Sequence, residues 1–502
     1  MPPSSIPPGL TSNDLMEVKT PPAPQNTNGF HSAISEDIAR VFALQQANRP
    51  HLRHTTAKQR LAKLKRLRKA LFDNRQAIRD AVYADFRKAP EEVDVTEIFT
   101  VALEIDHMKL HLRRWLKPKR VRTPLTLLGT TSEVRYEPKG VGLIISPWNY
   151  PINLTLGPLV GAIAAGCPAI IKPSEYTPHT SRLMKEMLAD LFDEQEVAVF
   201  EGDYTVSQEL LTYPFDHIYF TGSPEVGKIV MKAAAENLSS ITLELGGKSP
   251  TIVDETADVQ EAAMKIVFGK FTNKGQTCIA PDYVYVHERL HDAFVEALRE
   301  QIHAFYGEDA EARASNADYA RIVNDKHFER LRRLYEDALE SGAQAATGAV
   351  GDAEDRFIDP TVLTEVPLNA RIMQEEIFGP VLPVLKFKTL DEVIDAINSR
   401  PKPLALYIFS NRKANIEKLL HETSAGGTCI NDTLLHYLHP ELPFGGVGPS
   451  GIGKGYGYYG FLAFTNERPV LRQRLKNGPF KHFYPPYTKK TQTLIDLLLK
   501  WF

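Results

Sequence analysis

The sequence predicts an α/β fold in which short strands form largely parallel sheets. Beyond about residue 140, brief apolar segments alternate with helical ones, a pattern typical of parallel sheets. Each apolar segment ends in a loop rich in Pro, Gly, Ser or Asn; the strand candidates are Gly142–Ser146, Ala169–Ile171, His217–Phe220 and Pro250–Val253. The chain has 502 residues, too many for a single hydrophobic core. We therefore expect two or three packed units.

A helical region precedes these strands, from residue 35 to about residue 115. One helix face is marked by leucines at three- and four-residue steps: Leu61, Leu64, Leu67 and Leu71. The basic residues around this stripe, including Arg60, are expected to form a solvated face, with a membrane-surface contact as the alternative. Residues 120–140 alternate differently, and Leu128–Thr130 suits the turn of a protruding hairpin.

The N-terminal segment is rich in proline and poor in apolar residues. Its prolines are Pro2, Pro3, Pro7, Pro8, Pro21, Pro22 and Pro24. Such a segment cannot bury enough surface to offset its ordering entropy, so we interpret residues 1–34 as a disordered tail. A proline-rich docking peptide is the alternative. Because the chain has neither the order of a secretory signal nor an apolar run of the ~18 residues that span a membrane, we expect a cytoplasmic protein.

Composition and charge argue against several classes of function. The 59 basic and 62 acidic residues give a net charge of -3, whereas nucleic-acid binding needs a basic excess, so we expect no nucleic acid partner. The three cysteines are Cys167, Cys278 and Cys429, a set too sparse for a disulfide framework and without C-x-x-C spacing. The histidines lack the H-E-x-x-H pattern, so we expect no metal.

Three segments carry residues suited to catalysis. Cys278 follows Gly-Gln-Thr in a loop between a helix and a strand, where substrate can reach a thiol that is activated as a thiolate. Glu244 stands between two leucines, and such surroundings raise a carboxyl pKa toward the range of a general base. Asn149 lies in a proline-stiffened turn, and its amide can donate to a developing oxyanion. The alternatives are a structural cysteine, a Glu244–Lys248 pair and an asparagine that only shapes its turn.

A second group of segments is suited to binding a dinucleotide. Gly222–Ser223 links a strand to a helix whose free N–H groups can bind a pyrophosphate, although the spacing is not G-x-G-x-x-G. Lys172 and Glu175 follow the preceding strand, where an acidic residue can bind a ribose hydroxyl. Glu376 and Phe378 offer a carboxylate beside an aromatic ring, which suits a ribose next to nicotinamide.

Seven motifs occur in order along the chain: PWNYP, KPSE, FTGS, LELGGKSP, GQTC, EEIFGP and PFGG. Together they resemble the aldehyde dehydrogenase superfamily, from residue 35 to about residue 480. The Ile-Ala-Pro-Asp-Tyr after Cys278, Asn431–His436 and Phe444–Gly451 are similar to the class 3 branch, which includes the fatty aldehyde dehydrogenases. Tyr484–Pro486 resembles the approach to the membrane anchor of those relatives, but only a short amphipathic segment follows it here.

The resemblance implies an aldehyde dehydrogenase fold with several parts. A Rossmann-like cofactor-binding domain is expected at residues 35–246 and an α/β catalytic domain at 247–440. A small β oligomerisation hairpin at 120–140 is completed by residues 441–480. A C-terminal amphipathic helix, residues 481–502, is expected near the substrate entrance or against a membrane surface. Because this branch is commonly homodimeric, the resemblance also implies a homodimer.

By the same resemblance, the Cys278 thiolate attacks an aldehyde, and Asn149 with the Cys278 backbone N–H stabilises the oxyanion. Glu244 activates the water that hydrolyses the resulting thioester. NAD is the expected cofactor, since Glu175 should repel the 2′-phosphate of NADP, which remains an alternative. The substrates expected are medium- to long-chain or aromatic aldehydes: fatty aldehydes first, apocarotenals or other isoprenoid aldehydes second, and benzaldehyde types third.

Three rival functions stay open on the sequence. A CoA-acylating dehydrogenase would pass the thioester to coenzyme A and would not need Glu244. A catalytically inactive aldehyde-binding scaffold would have no use for Cys278, Glu244 and Asn149 together. A cysteine hydrolase would need a His and an Asp or Asn partner, and no such motif accompanies the cysteine.

Overall fold

The computed structural model describes residues 28–349, 351–476 and 478–501. Residues 1–27 of the expected tail lie outside these ranges. Helix α1 (Asn28–Arg53) corrects the end of that tail, because residues 28–34 are helical. No proline lies between Pro24 and Pro50, and Ile38 and Val41 are fully buried, so this segment can both form a helix and anchor it.

Four more helices follow before the first strand: α2 (Ala57–Asp73), α3 (Arg75–Phe86), α4 (Pro90–Val93) and α5 (Phe99–Trp115). A π-helical turn, Asp94–Ile98, joins α4 to α5. The apolar face predicted for α2 is confirmed, because Leu64, Leu67 and Leu71 are buried in the core between these helices and the first parallel sheet.

The interpretation of Arg60 as a solvated residue is wrong. Its side chain is 4% exposed, because Arg60 lies one turn before Leu64 on the buried face of α2. The guanidinium donates to the carbonyl oxygens of Ala164 and Ala165, at 3.0 and 2.6 Å, at the end of a helix in the neighbouring unit. Arg60 thus satisfies carbonyl groups that the end of a helix leaves without partners.

The hairpin predicted at residues 120–140 is confirmed. Strands β1 (Lys119–Val121) and β2 (Thr130–Pro138) are antiparallel, with Val121 opposite Ser132. A short 3-10 turn, Leu125–Leu127, and Gly129 connect them. Gly129 has a φ of 95°, in the left-handed region that glycine adopts at low cost.

The next elements alternate between strand and helix, as the sequence predicts. The strands are β3 (Gly142–Ile145), β4 (Ala169–Lys172), β5 (Val197–Val199), β6 (His217–Thr221) and β7 (Ser240–Glu244). The helices between and after them are α6 (Asn153–Ala165), α7 (Pro178–Leu191), α8 (Tyr204–Leu210) and α9 (Pro224–Glu236).

A second alternating series follows. Its strands are β8 (Pro250–Val253), β9 (Tyr283–His287), β10 (Gln344–Thr347), β11 (Thr361–Thr364), β12 (Val381–Phe387), β13 (Ala405–Phe409) and β14 (Gly427–Ile430). Its helices are α10 (Val259–Phe271), α11 (His291–Tyr306), α12 (Ala310–Ser315), α13 (Asp325–Glu340), α14 (Arg371–Gln374), α15 (Leu390–Asn398) and α16 (Lys413–Glu422).

The chain then returns to the earlier sheets through β15 (Gly451–Ile452), α17 (Gly457–Ala463) and β16 (Thr465–Gln473), and the last helix is α18 (Lys489–Trp501). On α18 only Thr491 is buried, whereas Leu497, Leu499 and Trp501 are exposed. Among the helices of the described residues, none combines the length and the apolar character that crossing a membrane requires.

Three sheets organise the described part of the chain. The first has the order β1-β2-β16 and is antiparallel; the second has the order β15-β7-β6-β3-β4-β5 and is parallel except at β15. The third, β10-β11-β12-β9-β8-β13-β14, is parallel except at β10. The predicted α/β class is confirmed, and the carboxyl ends of β3, β6 and β7 open on a shared cavity, as is typical of parallel sheets.

Candidate active site

A cavity of about 650 Å³ lies between the second and third sheets. The loops after β3, β6 and β7 form one wall, and residues from the third-sheet unit form the other. Seven of the nine residues predicted from the sequence line this cavity: Asn149, Gly222, Ser223, Glu244, Cys278, Glu376 and Phe378. Its size falls within the range of small-molecule and cofactor sites.

The Cys278 loop owes its shape to a run of left-handed residues. After α10, Asn273, Lys274 and Gly275 have φ values of 51°, 58° and 74°. Such a run is rare for side chains other than glycine, and surrounding contacts must stabilise it. Buried Gln276 supplies them: its Nε2 donates to the Asn273 carbonyl at 3.1 Å, and its Oε1 accepts from the Val323 N–H at 3.0 Å.

The thiol of Cys278 is partly buried at the cavity wall. Burial raises its pKa well above the ordinary range, and the carboxylates of Glu376 and Glu244 raise it further. Backbone N–H groups of Cys278 and Ile279 act in the opposite direction. In this arrangement the neutral thiol is favoured, so a proton acceptor or a nearby positive charge is needed to form the thiolate.

Glu244 ends β7 with its carboxylate buried and facing the cavity. The Tyr219 hydroxyl donates to its Oε1, and a side chain at Gly455 would collide with both groups. Burial raises the pKa of Glu244 to about 7, although the Tyr219 hydrogen bond lowers it. The alternative pairing with Lys248 does not occur, since that amine lies 3.1 Å from Asp282. A carboxyl that titrates near neutrality can act as a general base.

Asn149 connects the loop after β3 to the Cys278 loop. Its side-chain amide donates to the Gln276 carbonyl at 3.0 Å, and the Asn273 amide donates to the Asn149 carbonyl at 2.8 Å. An asparagine amide carries two hydrogens, so one remains for a ligand in the cavity. The two loops are thus held in a fixed relation, with Asn149 only 3% exposed.

The segment Gly222–Ser223 leads from β6 into α9. Ser223 caps the helix, with its hydroxyl accepting from the Val226 N–H at 3.4 Å, and Pro224 occupies the first turn. The first turn of a helix leaves N–H groups that suit a phosphate, and this end of α9 opens into the cavity. The residues therefore fit the pyrophosphate of a dinucleotide.

Glu376 and Phe378 lie on the opposite wall. The Gly247 N–H hydrogen-bonds with the Glu376 carboxylate, and a side chain at Gly246 would collide with that carboxylate. Burial raises the pKa of Glu376 to about 8. The ring of Phe378 packs edge-on against Trp148, with centroids 5.5 Å apart.

Lys172 and Glu175 do not line this cavity. They form an ion pair of 2.7 Å at the carboxyl end of β4, with Lys172 buried and the Glu175 side chain 35% exposed. Strand β4 is the neighbour of β3, so the pair lies on the same edge of the sheet as the cavity.

Sequence reasoning missed several residues of the site. Tyr219 holds Glu244, and its signal in the sequence was a ring with a hydroxyl group between the apolar Ile218 and Phe220. The Tyr150 hydroxyl lies 2.6 Å from the Thr277 hydroxyl, which fixes the residue before the cysteine. Arg330 donates to the carbonyls of Glu376 and Ile377 at 3.2 and 2.6 Å, and no motif near it on α13 indicated this role.

Comparisons with known proteins agree with this geometry. The model of the aldehyde dehydrogenase family matches residues 10–470. The chain is 46% identical over 433 residues to the 4,4'-diaponeurosporen-aldehyde dehydrogenase of Staphylococcus aureus, covering 86% of this chain and 92% of that protein. It is 42% identical over 464 residues to aldehyde dehydrogenase family 3 member A2 of Mus musculus, covering 92% and 94%.

A solved structure of the substrate-bound state of Staphylococcus aureus AldH has the same fold. It superposes with a TM-score of 0.87 at 44% sequence identity, over 92% of this chain and 99% of that one. The relative from family 3 confirms the predicted likeness to the class 3 branch. The chain therefore belongs to the aldehyde dehydrogenase family, and it is an oxidoreductase that acts on aldehydes.

Proposed function

We propose that this enzyme oxidises a long-chain, apolar aldehyde to its carboxylic acid, with NAD as cofactor and Cys278 as covalent nucleophile. The observation that carries the proposal is that Cys278, Glu244 and Asn149 share one cavity with the N-terminus of α9. A nucleophile, a base, an oxyanion donor and an anion-binding helix end are the groups that this oxidation requires.

The reaction begins when the Cys278 sulfur attacks the aldehyde carbon. Because the surroundings favour the neutral thiol, the sulfur must release its proton to solvent as the C–S bond forms, which leaves the Glu244 carboxylate free for the later hydrolysis. The oxyanion accepts hydrogen bonds from the free amide hydrogen of Asn149 and from the Cys278 backbone N–H. When bound, the oxidised nicotinamide supplies the acceptor for the hydride that leaves this carbon.

The resulting thioester on Cys278 is hydrolysed by water. Glu244 takes a proton from that water as it attacks, which returns the thiol and releases the acid. Tyr219 positions the carboxylate for this step through its hydrogen bond to Oε1. A base in this position favours hydrolysis over transfer to coenzyme A.

The residues for the cofactor extend along the cavity from α9 to the cysteine. Gly222–Ser223 and the first turn of α9 would bind the pyrophosphate, and Glu376 with Phe378 would hold the nicotinamide end. Lys172 and Glu175 would bind the adenine ribose. Members of the family use NAD or NADP; we favour NAD because the Glu175 carboxylate would repel a 2′-phosphate.

The surroundings of Cys278 favour an apolar substrate. The cysteine packs against a buried apolar cluster, together with Leu434, Tyr437 and Tyr456. Burying a long hydrocarbon tail against such side chains stabilises the complex in proportion to the apolar area. Fatty aldehydes are our first candidates. Isoprenoid aldehydes are the second, because the Staphylococcus aureus relative is a 4,4'-diaponeurosporen-aldehyde dehydrogenase.

We also propose a homodimer that uses the three-stranded sheet. Strand β16 pairs with β2 over nine residues, from Thr465 opposite Pro138 to Gln473 opposite Thr130, and it is the outer strand of this sheet. Long open strand edges are commonly covered by another chain. The exposed Leu497, Leu499 and Trp501 of α18 are our candidates for contact with a substrate tail or a membrane surface.

The test is a turnover assay that follows the absorbance of reduced nicotinamide. Hexanal, hexadecanal, benzaldehyde and an apocarotenal are each supplied with NAD or NADP, to the wild type, Cys278→Ser and Cys429→Ser. We expect the highest kcat/KM with hexadecanal and NAD, loss of turnover in Cys278→Ser, and retention in Cys429→Ser. Turnover that survives in Cys278→Ser would exclude the proposed nucleophile. A preference for benzaldehyde would exclude the substrate class, and a requirement for added coenzyme A would exclude hydrolysis.

A further inference from the structure

Two histidines of helix α5 and a glutamate from a distant loop form a cluster, and none of the three residues lines the catalytic cavity. His107 and His111 are four residues apart and share one face of the helix. Glu441, from the loop between β14 and β15, faces them. Its Oε1 lies 3.5 Å from Nε2 of His107 and 3.7 Å from Nε2 of His111.

The buried side chain of His107 indicates that this cluster binds a ligand. Its side chain is 6% exposed, and among the described residues its Nε2 has no hydrogen-bond partner. A buried nitrogen without a partner destabilises a fold, so such atoms are rare unless a ligand or an ion satisfies them. The unpaired nitrogen faces the Glu441 carboxylate at a distance too long for a good hydrogen bond.

We propose that His107, His111 and Glu441 bind a divalent transition-metal ion of the zinc type. In a tetrahedral zinc site with bonds of about 2.0–2.1 Å, neighbouring ligand atoms are about 3.3 Å apart, close to the separations found here. The donor atoms of all three residues lie within 4.8 Å of one another, so small side-chain shifts suffice to enclose an ion. Two imidazoles and one carboxylate form a ligand set that zinc accepts, with water in the fourth position.

The surroundings already orient the two rings. Trp115 stacks on His111, with centroids 5.6 Å apart and an angle of 19° between the planes, and lies 5.5 Å from His107. The Arg114 guanidinium, 3.4 Å from His111 Nδ1, opposes metal binding, because coordination through Nε2 leaves the proton on Nδ1. Arg114 is exposed and can turn away into solvent.

Such an ion would connect two distant parts of the chain. The loop that carries Glu441 also carries Tyr437, whose hydroxyl donates to Asn153 Oδ1 at 2.9 Å and whose ring packs against Phe444 and Tyr456. A metal bond would fix this loop to α5, and Tyr437 on the loop packs against the same buried apolar cluster as Cys278. The site stands on its own residues and does not depend on the proposed function.

The absence of an H-E-x-x-H pattern led to the prediction that the protein binds no metal, and this site does not follow that pattern. H-x-x-x-H on a helix also places two imidazoles on one face. The third ligand comes from a loop that the fold brings to α5 from far along the chain. No local pattern could have assigned it.

The test is binding of Zn²⁺ by calorimetry and of Co²⁺ by its visible absorption, on the full chain with Cys278→Ser to remove the reactive thiol. We expect one ion per chain, a tetrahedral Co²⁺ spectrum without thiolate bands, and a thermal midpoint that rises with added Zn²⁺. His111→Ala and Glu441→Gln, both at partly or largely exposed positions, should each weaken binding at least tenfold. Arg114→Ala should tighten it severalfold, because it removes a positive charge beside the ion.

His421→Ala on α16 is the matched control, since it removes an exposed histidine remote from the cluster. Unchanged Zn²⁺ affinity in both His111→Ala and Glu441→Gln would overturn the proposal. Equal weakening by His421→Ala would also overturn it, because binding would then be non-specific. Retained fluorescence and thermal midpoints of the metal-free variants show that a lost affinity does not reflect misfolding.

Discussion

The two ends of the catalytic cavity are built in different ways. Around Cys278, the side chains that matter are buried and held by other side chains: Gln276 fixes the loop, and Tyr219 holds Glu244. At the α9 end, the first turn of the helix offers backbone N–H groups to a ligand, and the Glu175 carboxylate lies outside the cavity lining in an ion pair. Chemistry at one end thus depends on fixed side chains, and recognition at the other depends largely on the main chain.

This difference teaches where substitutions will act. A side chain that takes part in bond making has no substitute, so its loss should lower kcat. A binding site made of backbone groups keeps its shape when a nearby side chain is substituted. Such substitutions should therefore leave kcat largely unchanged and alter the KM and the preference between NAD and NADP. Substitutions at the cysteine end should therefore affect turnover most strongly, and substitutions at the α9 end should affect it least.

The largest effect is expected for Glu244→Gln. Glutamine keeps the volume and can still accept from Tyr219, but it cannot take a proton from water, so hydrolysis of the thioester should slow by about 10²- to 10⁴-fold. Rapid-mixing measurements should then record a burst of about one reduced cofactor per active site, followed by slow turnover. Glu104→Gln is the control, since that carboxyl is also buried, with a pKa raised to about 7, but contacts the Gly457 N–H instead. An equal loss of turnover in the control would contradict the assignment.

A smaller effect is expected from pH and from Tyr219→Phe. Burial raises the pKa of Glu244 to about 7, and only the carboxylate is a base, so kcat should fall as the pH is lowered through about 7. The Tyr219 hydrogen bond lowers that pKa, and its removal should therefore move the half-point of the kcat profile to higher pH. Tyr136→Phe, which removes a tyrosine pair with Tyr458, should leave the profile unchanged. A half-point that stays in place in Tyr219→Phe would mean that another group titrates.

The smallest effect is expected for Glu175→Gln at the cofactor end. Loss of the carboxylate removes its repulsion of a 2′-phosphate, so the ratio of kcat/KM for NADP to that for NAD should rise about tenfold while kcat with NAD barely changes. Steady-state kinetics with both cofactors measure this ratio. Glu186→Gln, an exposed carboxylate on neighbouring α7, controls for the change in net charge. If both variants change the ratio equally, the effect is general electrostatics and not recognition by Glu175.

The sequence predicted the parts of the site that are local. Cys278, Glu244 and Asn149 each lie in a short motif at the end of a strand or helix, and parallel strands bring such ends to one edge. The sequence placed Lys172 and Glu175 at the correct edge of the sheet but could not show that they lie outside the cavity lining. How close a loop comes to a cavity depends on how the loop packs. The sequence did not indicate the roles of Tyr219, Arg330 and Glu441. Each of these side chains contacts residues that are distant in sequence, and the periodicity of a helix or strand does not predict such contacts.

The sequence also led to a wrong prediction of solvent exposure for one charged residue, Arg60. The pattern around Leu64 placed the basic side chains of α2 in solvent, which is the usual outcome. Arg60 departs from it because a helix end in the next unit offered carbonyl oxygens that could replace water. A helical pattern shows which face is apolar, but only the packed neighbour decides whether a cation at its edge can be buried.

Arg60 also limits how the enzyme can be rearranged. The segment before β1 is helical and adds no strand to the three sheets. A topology diagram alone would therefore suggest that this segment can be removed. Removing them would leave the end of α6 with bare carbonyl groups and would uncover the apolar side chains that α2 and α5 cover. Truncated or shuffled versions that begin at the first parallel strand are therefore poor starting points for engineering, whereas exchanges that keep Arg60 with its helix should be tolerated.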